Sequence, residues 1–397
     1  MMSYTLISRV IPFIFFLNCF AANTVLFISG TRPEIIKLAP VYLSLKTEQR
    51  TLWCHTGQHK DLACDVLKLF NICPDFNLDV MEPNQSLATL TKKLIESLTF
   101  VVEQSQPNLI VVQGDTTSAF VGALVGYLFH IPVAHVEAGL RTNSIYDPFP
   151  EEMNRRFISL VTHYHFAPTI KSYNQLLDEK IPPHMIFLTG NTVVDALILI
   201  KQKIDNHEIA VTESLRSFVE STKQKNKKIM LLTAHRRESF GDGLRTIFNA
   251  IKFACNNHPE LEVIFPMHPN PAVKQAAIET NLFDIPNLTI IKPVLYSDLV
   301  YLLHECNFVA TDSGGIQEEA ASLGKTILIL RNSTERTEGI EEKLAQLVGV
   351  NFVNITNAID NECQRVGKRA HSFSDIYGNG TASIQITKNI NTIFQNQ

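Results

Sequence analysis

At about 150 residues per domain, a chain of 397 residues suggests two large domains. Hydrophobic residues make up 45% of it and charged residues 19%, which excludes wholesale disorder and a disulfide-stapled miniprotein. With 35 Lys and Arg against 39 Asp and Glu, the net charge of −4 lacks the basic footprint of a nucleic-acid binder, although a local cluster of donors for a small anion stays open.

The chain opens on an apolar run, TLISRVIPFIFFLNCFAA, broken by Arg9 and Pro12. Its stretch 10–22 is short for a membrane span, has the length of a signal-peptide core, and lacks a convincing cleavage site. Residues 1–22 are therefore read as an N-terminal extension with three alternative readings, first a mis-assigned start, second a membrane anchor, third a signal peptide, and membrane contact is expected only from an anchor. From residue 23 onward, short β-branched runs alternate with helical stretches: TVLFISG, NLIVVQGD, IPVAHVEAG and MIFLTGN, then KIMLLTAH, LEVIFPMH, LTIIKP, NFVATDSG and TILILR. Strands that are apolar throughout and alternate with helices predict an α/β fold with parallel sheets covered on both faces. Such strands are too many for one ordinary sheet, so two Rossmann-like domains are expected, at 23–190 and 191–375, with the ligand cleft at the carboxyl ends of the strands. The seven cysteines (Cys19, Cys54, Cys64, Cys73, Cys255, Cys306, Cys363) are odd in number and form no CxxC or zinc spacing. Reduced thiols, a cytoplasmic chain and no metal are expected.

The chemistry-bearing residues follow strand ends. GTRPEIIK brings a glycine, Arg32 and Lys37 to a helix start with Pro33 in its first turn, a place for an anion or merely for solvated charges. DSGGIQEEA sets Ser313, Gly314 and Gly315 between a strand and a helix, where a diphosphate fits. Glu318 and Glu319 follow, favoured there by the helix dipole alone, or placed so that one accepts from ribose hydroxyls. Neither motif matches GxGxxG or the Walker loop, so NAD and ATP are disfavoured. Asp115 ends VVQGD and serves equally as a helix N-cap; Glu137 ends VAHVE with no capping role; Glu151 and Glu152 open the helix EEMNRRFISL; His235 ends MLLTAH beside Arg236 and Arg237. Carboxylates and a histidine facing a diphosphate suit acid/base work on a nucleotide-linked substrate. Spacing alone leaves transfer, hydrolysis, elimination and epimerisation open.

Taken together, GTRPEIIKLAPV, TGQH, QGDTTSA, HVEAGLRT, PFPEEMNRR, TGNTVVDAL, TAHRRESFG, PMHPNP, DSGGIQEEAASLGK and LRNSTER run in order from Gly30 to Arg336. They resemble the non-hydrolysing UDP-N-acetylglucosamine 2-epimerase family. The resemblance implies a glycosyltransferase-B-like pair of domains with the active site between them. It also implies a C-terminal helix, 376–397, that returns to the first domain. The implied reaction is reversible C2 inversion of UDP-N-acetylglucosamine through 2-acetamidoglucal, without a cofactor, in a homodimer serving surface polysaccharide synthesis. By the same resemblance Asp115, Glu137, Glu151 and His235 are catalytic, and Arg32, Lys37, Ser313, Gly314, Gly315, Glu319 and Arg336 hold UDP-sugar. Gln58, Arg236 and His268 match parts of an allosteric pocket, although Asn84 stands where an arginine is expected. Val294 and Leu299 stand where at least one branch of the family holds Gln and Phe near the uracil. The alternatives are a glycosyltransferase of the same architecture, a hydrolysing epimerase, and an inactive UDP-sugar sensor.

Overall fold

The computed structural model describes residues 23–396 apart from 59–60, 83, 143 and 366–373, so the apolar run ending at residue 22 lies outside the described residues. Among them, no helix is long and apolar enough to cross a membrane.

The first parallel sheet is built from β1 (Thr24–Ser29), β2 (Arg50–His55), β3 (Phe76–Asn77), β4 (Leu109–Gln113), β5 (Val133–Val136), β6 (Tyr164–Ala167) and β7 (Ile186–Leu188). Its spatial order is β3-β2-β1-β4-β5-β6-β7. The second is built from β8 (Lys228–Thr233), β9 (Leu261–Pro266), β10 (Leu288–Ile291), β11 (Phe308–Thr311), β12 (Thr326–Ile329) and β13 (Ala345–Leu347), in the order β10-β9-β8-β11-β12-β13. Every pairing within the two sheets is parallel. β1 is buried along its whole length, as expected of a strand with helices on both faces. The expected α/β fold of two Rossmann-like sheets is what the chain adopts, in the glycosyltransferase-B-like manner. Strands β2, β3, β6 and β13 were not among the expected runs. β2 starts exposed on Arg50, β6 carries the buried His165, and β3 and β13 are two- and three-residue edge pieces.

Strand order fixes the site. It reverses at β1 in the first sheet and at β8 in the second, and a crevice opens where neighbouring crossovers leave in opposite directions. Beyond β1 and β4 lie Gly30–Arg32 and Asp115; beyond β8 and β11 lie His235 and Asp312.

The helix Thr192–Asp205 packs against Arg32–Leu45 of the first half, and against Tyr296–Glu305 and Gly314–Ser322 of the second. It therefore holds the two sheets together through one continuous apolar core. The last helix, Ala382–Gln395, packs on Arg32–Leu45 and on Thr192–Asp205. Asp195 fastens its start: Oδ1 accepts from the Ser383 N–H at 2.8 Å and from the Ser383 hydroxyl at 2.6 Å, and Oδ2 accepts from the Ala382 N–H at 3.3 Å. The chain can turn here because Gly190 and Gly378 meet backbone to backbone, at φ 85° and 104°. A Cβ on Gly190 would stand 3.3 Å from the Gly378 Cα.

Candidate active site

Two adjoining cavities occupy the cleft. One, of about 250 Å³, is lined by Arg32, Val294, Tyr296, Leu299, Glu319 and His268 among others. The second, of about 410 Å³, is lined by Asp115, Glu137, Glu151, Arg155, Glu335 and Arg336, with Gln58 and Arg236. Pro33, Lys37, His235, Ser313 and Gly315 line both and form their junction.

The junction is the start of the helix Gly314–Ser322, with Ser313 at its N-cap position. Its unpaired N–H groups and positive dipole end favour an anion. Gly315 has open space where a Cβ would project. Gly314 faces elsewhere: its missing Cβ would stand 2.5 Å from the Arg336 guanidinium, and it lines neither cavity. Opposite stands the helix Arg32–Leu45, with Pro33 in its first turn. Its start is closed by Glu34, whose Oε2 accepts from the backbone N–H groups of Gly30 (3.1 Å) and Thr31 (2.7 Å). Burial pushes the Glu34 carboxyl up to about 7.

His235 sits at the junction with its backbone fixed, because Asp312 Oδ2 accepts from the N–H groups of His235 (2.6 Å) and Arg236 (2.8 Å). Its ring stacks on His268 at 5.2 Å, and Nδ1 lies 3.4 Å from Asp312 Oδ1. Burial lowers the His235 pKa below its ordinary value, against the opposing pull of Asp312.

The second cavity is a lattice of buried charge. The Lys37 ammonium donates to Glu137 Oε2 and, at 2.8 Å, to Glu318 Oε2. Arg336 Nε donates to Glu318 Oε1 at 2.7 Å and its Nη1 donates to Glu335, while Nη2 lies 3.8 Å from Glu137. Burial would lower Lys37, but Glu137 and Glu318 outweigh it and hold its pKa above the ordinary value. Glu137 is raised by burial despite Lys37 and Arg336, which makes it a stronger base than an exposed carboxylate. It also receives the Gln113 amide at 2.6 Å and sits at φ 66°. A non-glycine residue in that left-handed region costs about 1–3 kcal/mol.

Asp115 is not the N-cap of the helix after β4; that position belongs to Thr116, whose hydroxyl accepts from the Ala119 N–H at 3.1 Å. The Asp115 carboxylate instead meets Arg155, at 2.8 Å from Nε and 2.7 Å from Nη2. The paired acids Glu151 and Glu152 part company. Glu152 is buried among Arg155, Arg156 and the Thr142 N–H, whereas Glu151 faces the cavity with a buried, unpartnered Oε2 and a carboxyl raised by burial.

In the smaller cavity Glu319 accepts from the Tyr296 hydroxyl at 2.8 Å, and burial pushes its carboxyl up to about 7. Arg32 Nη2 donates to the Val294 carbonyl at 3.5 Å, and Val294 and Leu299 both line this cavity. Gln58 and Arg236 line the larger cavity and His268 the smaller; Asn84 lines neither. The acid pair of the DSGGIQEEA motif is thus divided, Glu319 facing ligand space and Glu318 locked to Lys37 and Arg336. Among the described residues, His258, Glu260 and Cys363 form a group that could hold a metal. They line neither cavity, and the two imidazole nitrogens of His258 are already taken by Glu260 (2.8 Å) and Asp360 (2.7 Å).

A family model described as UDP-N-acetylglucosamine 2-epimerase matches residues 43–391. The chain belongs to the UDP-N-acetylglucosamine 2-epimerase family. It is an enzyme of the isomerase class and of the non-hydrolysing type. A UDP-N-acetylglucosamine 2-epimerase of Yersinia pestis is 41% identical, covering 92% of this chain and 97% of that protein. One of Campylobacter jejuni is 39% identical, with 91% and 96% covered. Among solved structures, the Neisseria meningitidis UDP-N-acetylglucosamine 2-epimerase bound to UDP-N-acetylglucosamine superposes with a TM-score of 0.85 at 38% identity, covering 93% of this chain and 100% of that one. The Methanocaldococcus jannaschii enzyme in complex with UDP-N-acetylglucosamine and UDP gives 0.79 at 32%, with 93% and 99% covered.

Sequence reasoning on this epimerase-family chain passed over Arg155, Arg331, Glu335, Gln113 and Asp312 as site residues. All five lie inside quoted motifs, QGDTTSA, PFPEEMNRR, DSGGIQEEAASLGK and LRNSTER, yet a polar residue on a helix or loop carries no sign of burial until the fold brings its partners together.

Proposed function

We propose that the chain interconverts UDP-N-acetylglucosamine and its C2 epimer, UDP-N-acetylmannosamine. The observation carrying this reading is the pair of cavities meeting at Ser313, Gly315, His235 and Lys37. A nucleoside diphosphate sugar has that three-part shape. Uridine fits the smaller cavity, with Glu319 accepting from ribose hydroxyls and Arg32 beside them. The diphosphate lies on the helix start, and the sugar reaches the carboxylates.

In the forward direction a carboxylate among Asp115, Glu137 and Glu151 takes the C2 proton. The C–H pair forms the C1–C2 double bond as the C1–O bond breaks, and UDP leaves with that bond's electrons. His235, with Lys37 and Arg336, stabilises the departing diphosphate. UDP oxygen then adds back to C1 of 2-acetamidoglucal while a second carboxylate delivers a proton to the opposite face of C2. An enclosed cleft keeps the two fragments together, so re-addition is effectively intramolecular. No redox cofactor is needed, because oxidation state is unchanged. The same reading places the chain in the cytoplasm as a homodimer that supplies N-acetylmannosamine units for a surface polysaccharide.

The test is proton NMR of the protein with UDP-N-acetylglucosamine in deuterated buffer. Accumulation of the manno epimer to a plateau, with deuterium at C2 of both sugars, is the expected result. Free UDP with free N-acetylmannosamine would instead place it among hydrolysing enzymes. An unchanged spectrum with demonstrable UDP binding would favour a transferase or a sensor.

A further inference from the structure

Glu335 lies on the loop between β12 and the helix Glu338–Glu341, on the second-half wall, and lines the larger cavity. Three guanidiniums surround its carboxylate. Arg331 Nη1 donates to Oε2 at 3.2 Å, Arg336 Nη1 donates to Oε1, and Arg155 Nη2 from the opposite wall stands 3.9 Å from Oε1. All four side chains are buried, at 4–9% exposure. Burial alone would raise the Glu335 carboxyl, but Arg336, Arg331 and Arg155 hold it well below the ordinary carboxylate range.

Such a cluster is a poor device for stability, since desolvating several charges offsets most of their mutual attraction. It is a good device for position, because each fork is held at two ends. Followed outward, Arg155 binds Asp115 through Nε and Nη2, and Arg336 stands on Glu318 and beside Glu137. A single carboxylate of the second half therefore connects two proton-transfer carboxylates of the first. Nothing else in the larger cavity bridges Arg155 to Arg336 among the described contacts.

We propose that Glu335 is a positioning residue: docked across the cleft, it sets Arg155 and Arg336, and through them places Asp115 and Glu137 on the two faces of C2. The proposal rests on the epimerase reading above. Misplacement of a reacting group by about 1 Å costs on the order of 100-fold in rate, so the charge-removing isostere Glu335→Gln should lower kcat by about that factor.

The experiment uses the full chain with UDP-N-acetylglucosamine in deuterated buffer, and reads kcat, KM, UDP affinity by calorimetry, thermal unfolding, and the rate of deuterium entry at C2 relative to epimer formation. For Glu335→Gln the expected result is a large kcat loss, UDP affinity held within about threefold, a lowered melting temperature because three buried guanidiniums lose a shared carboxylate, and an exchange-to-epimerisation ratio moved by about tenfold as one face is served worse than the other. Glu335→Asp, which keeps the charge, should restore part of the ratio. Arg155→Lys, which keeps its charge but loses the fork, should move the ratio in the same direction, and it reads the proposal even where Glu335→Gln fails to fold. A kcat loss with the ratio unchanged in both variants would make Glu335 merely structural and overturn the proposal. Wild-type protein without exchange at C2 overturns the reaction reading and this proposal with it; wild-type exchange with unaffected variants overturns this proposal alone.

Discussion

The two walls of the cleft are built by one rule and equipped for different work. Each presents the carboxyl ends of strands flanking a reversal of strand order, β1 and β4 on one side, β8 and β11 on the other. The first wall projects Asp115, Glu137 and Glu151, and burial raises the last two toward the range of useful bases. The second projects a helix start, His235 and three arginines, which suit an anion. Repeating one architecture leaves chemistry to be set by loop residues. On the proposed function, proton transfer falls to one wall and leaving-group stabilisation to the other, so the reaction needs both walls at once.

That division can be broken from either side. Glu137→Gln removes a base from the first wall and should lower kcat by about 10²–10⁴-fold. UDP binding should be retained or tightened, because Lys37 loses one of its two carboxylate partners. Calorimetry beside steady-state kinetics checks this; parallel losses of kcat and UDP affinity would mean the walls are not separable. The pH profile gives the next effect. A base must be ionised, and Glu137 and Glu151 are both raised from 4.5, so kcat/KM should fall as pH drops through an inflection above 4.5. An acid limb at or below 4.5 would contradict the burial argument.

On the second wall, Glu319→Gln should weaken UDP binding by about 10- to 100-fold, the worth of a hydrogen bond to a charged group, while the exchange-to-epimerisation ratio stays at its wild-type value. An altered ratio would give Glu319 a part in proton transfer. The smallest effect lies outside both walls. Asp195→Ala uncaps the last helix and should cost about 1–2 kcal/mol by denaturant titration, with kinetics unchanged. A kinetic effect there would show that the tail's anchoring controls the cleft.

Much of this was legible in the chain itself. Apolar β-branched runs alternating with helices announced parallel sheets, and residues placed just after strands pointed to a cleft. What escaped was whatever depends on a partner far away in sequence. Asp115 reads as an ordinary helix cap until Thr116 takes that place and Arg155, 40 residues on, takes its carboxylate. Lys37 and Arg336 read as free cations for phosphate, whereas both are bound to Glu318, which sequence alone could not separate from Glu319. Short edge strands such as β3 and β13 have too few residues to show a period.

The division of labour between the two walls is tested most directly by where the substrate breaks. UDP-N-acetylglucosamine carrying ¹⁸O in the bridge between C1 and the β-phosphorus, incubated with the enzyme and followed by ³¹P NMR, reports C1–O cleavage. If the second wall receives UDP as a leaving group, the label scrambles into the non-bridging β-phosphate oxygens at least as fast as the epimer forms. Epimerisation with the label kept in the bridge would mean that C2 inverts without departure of UDP, and would contradict the division of labour between the two walls.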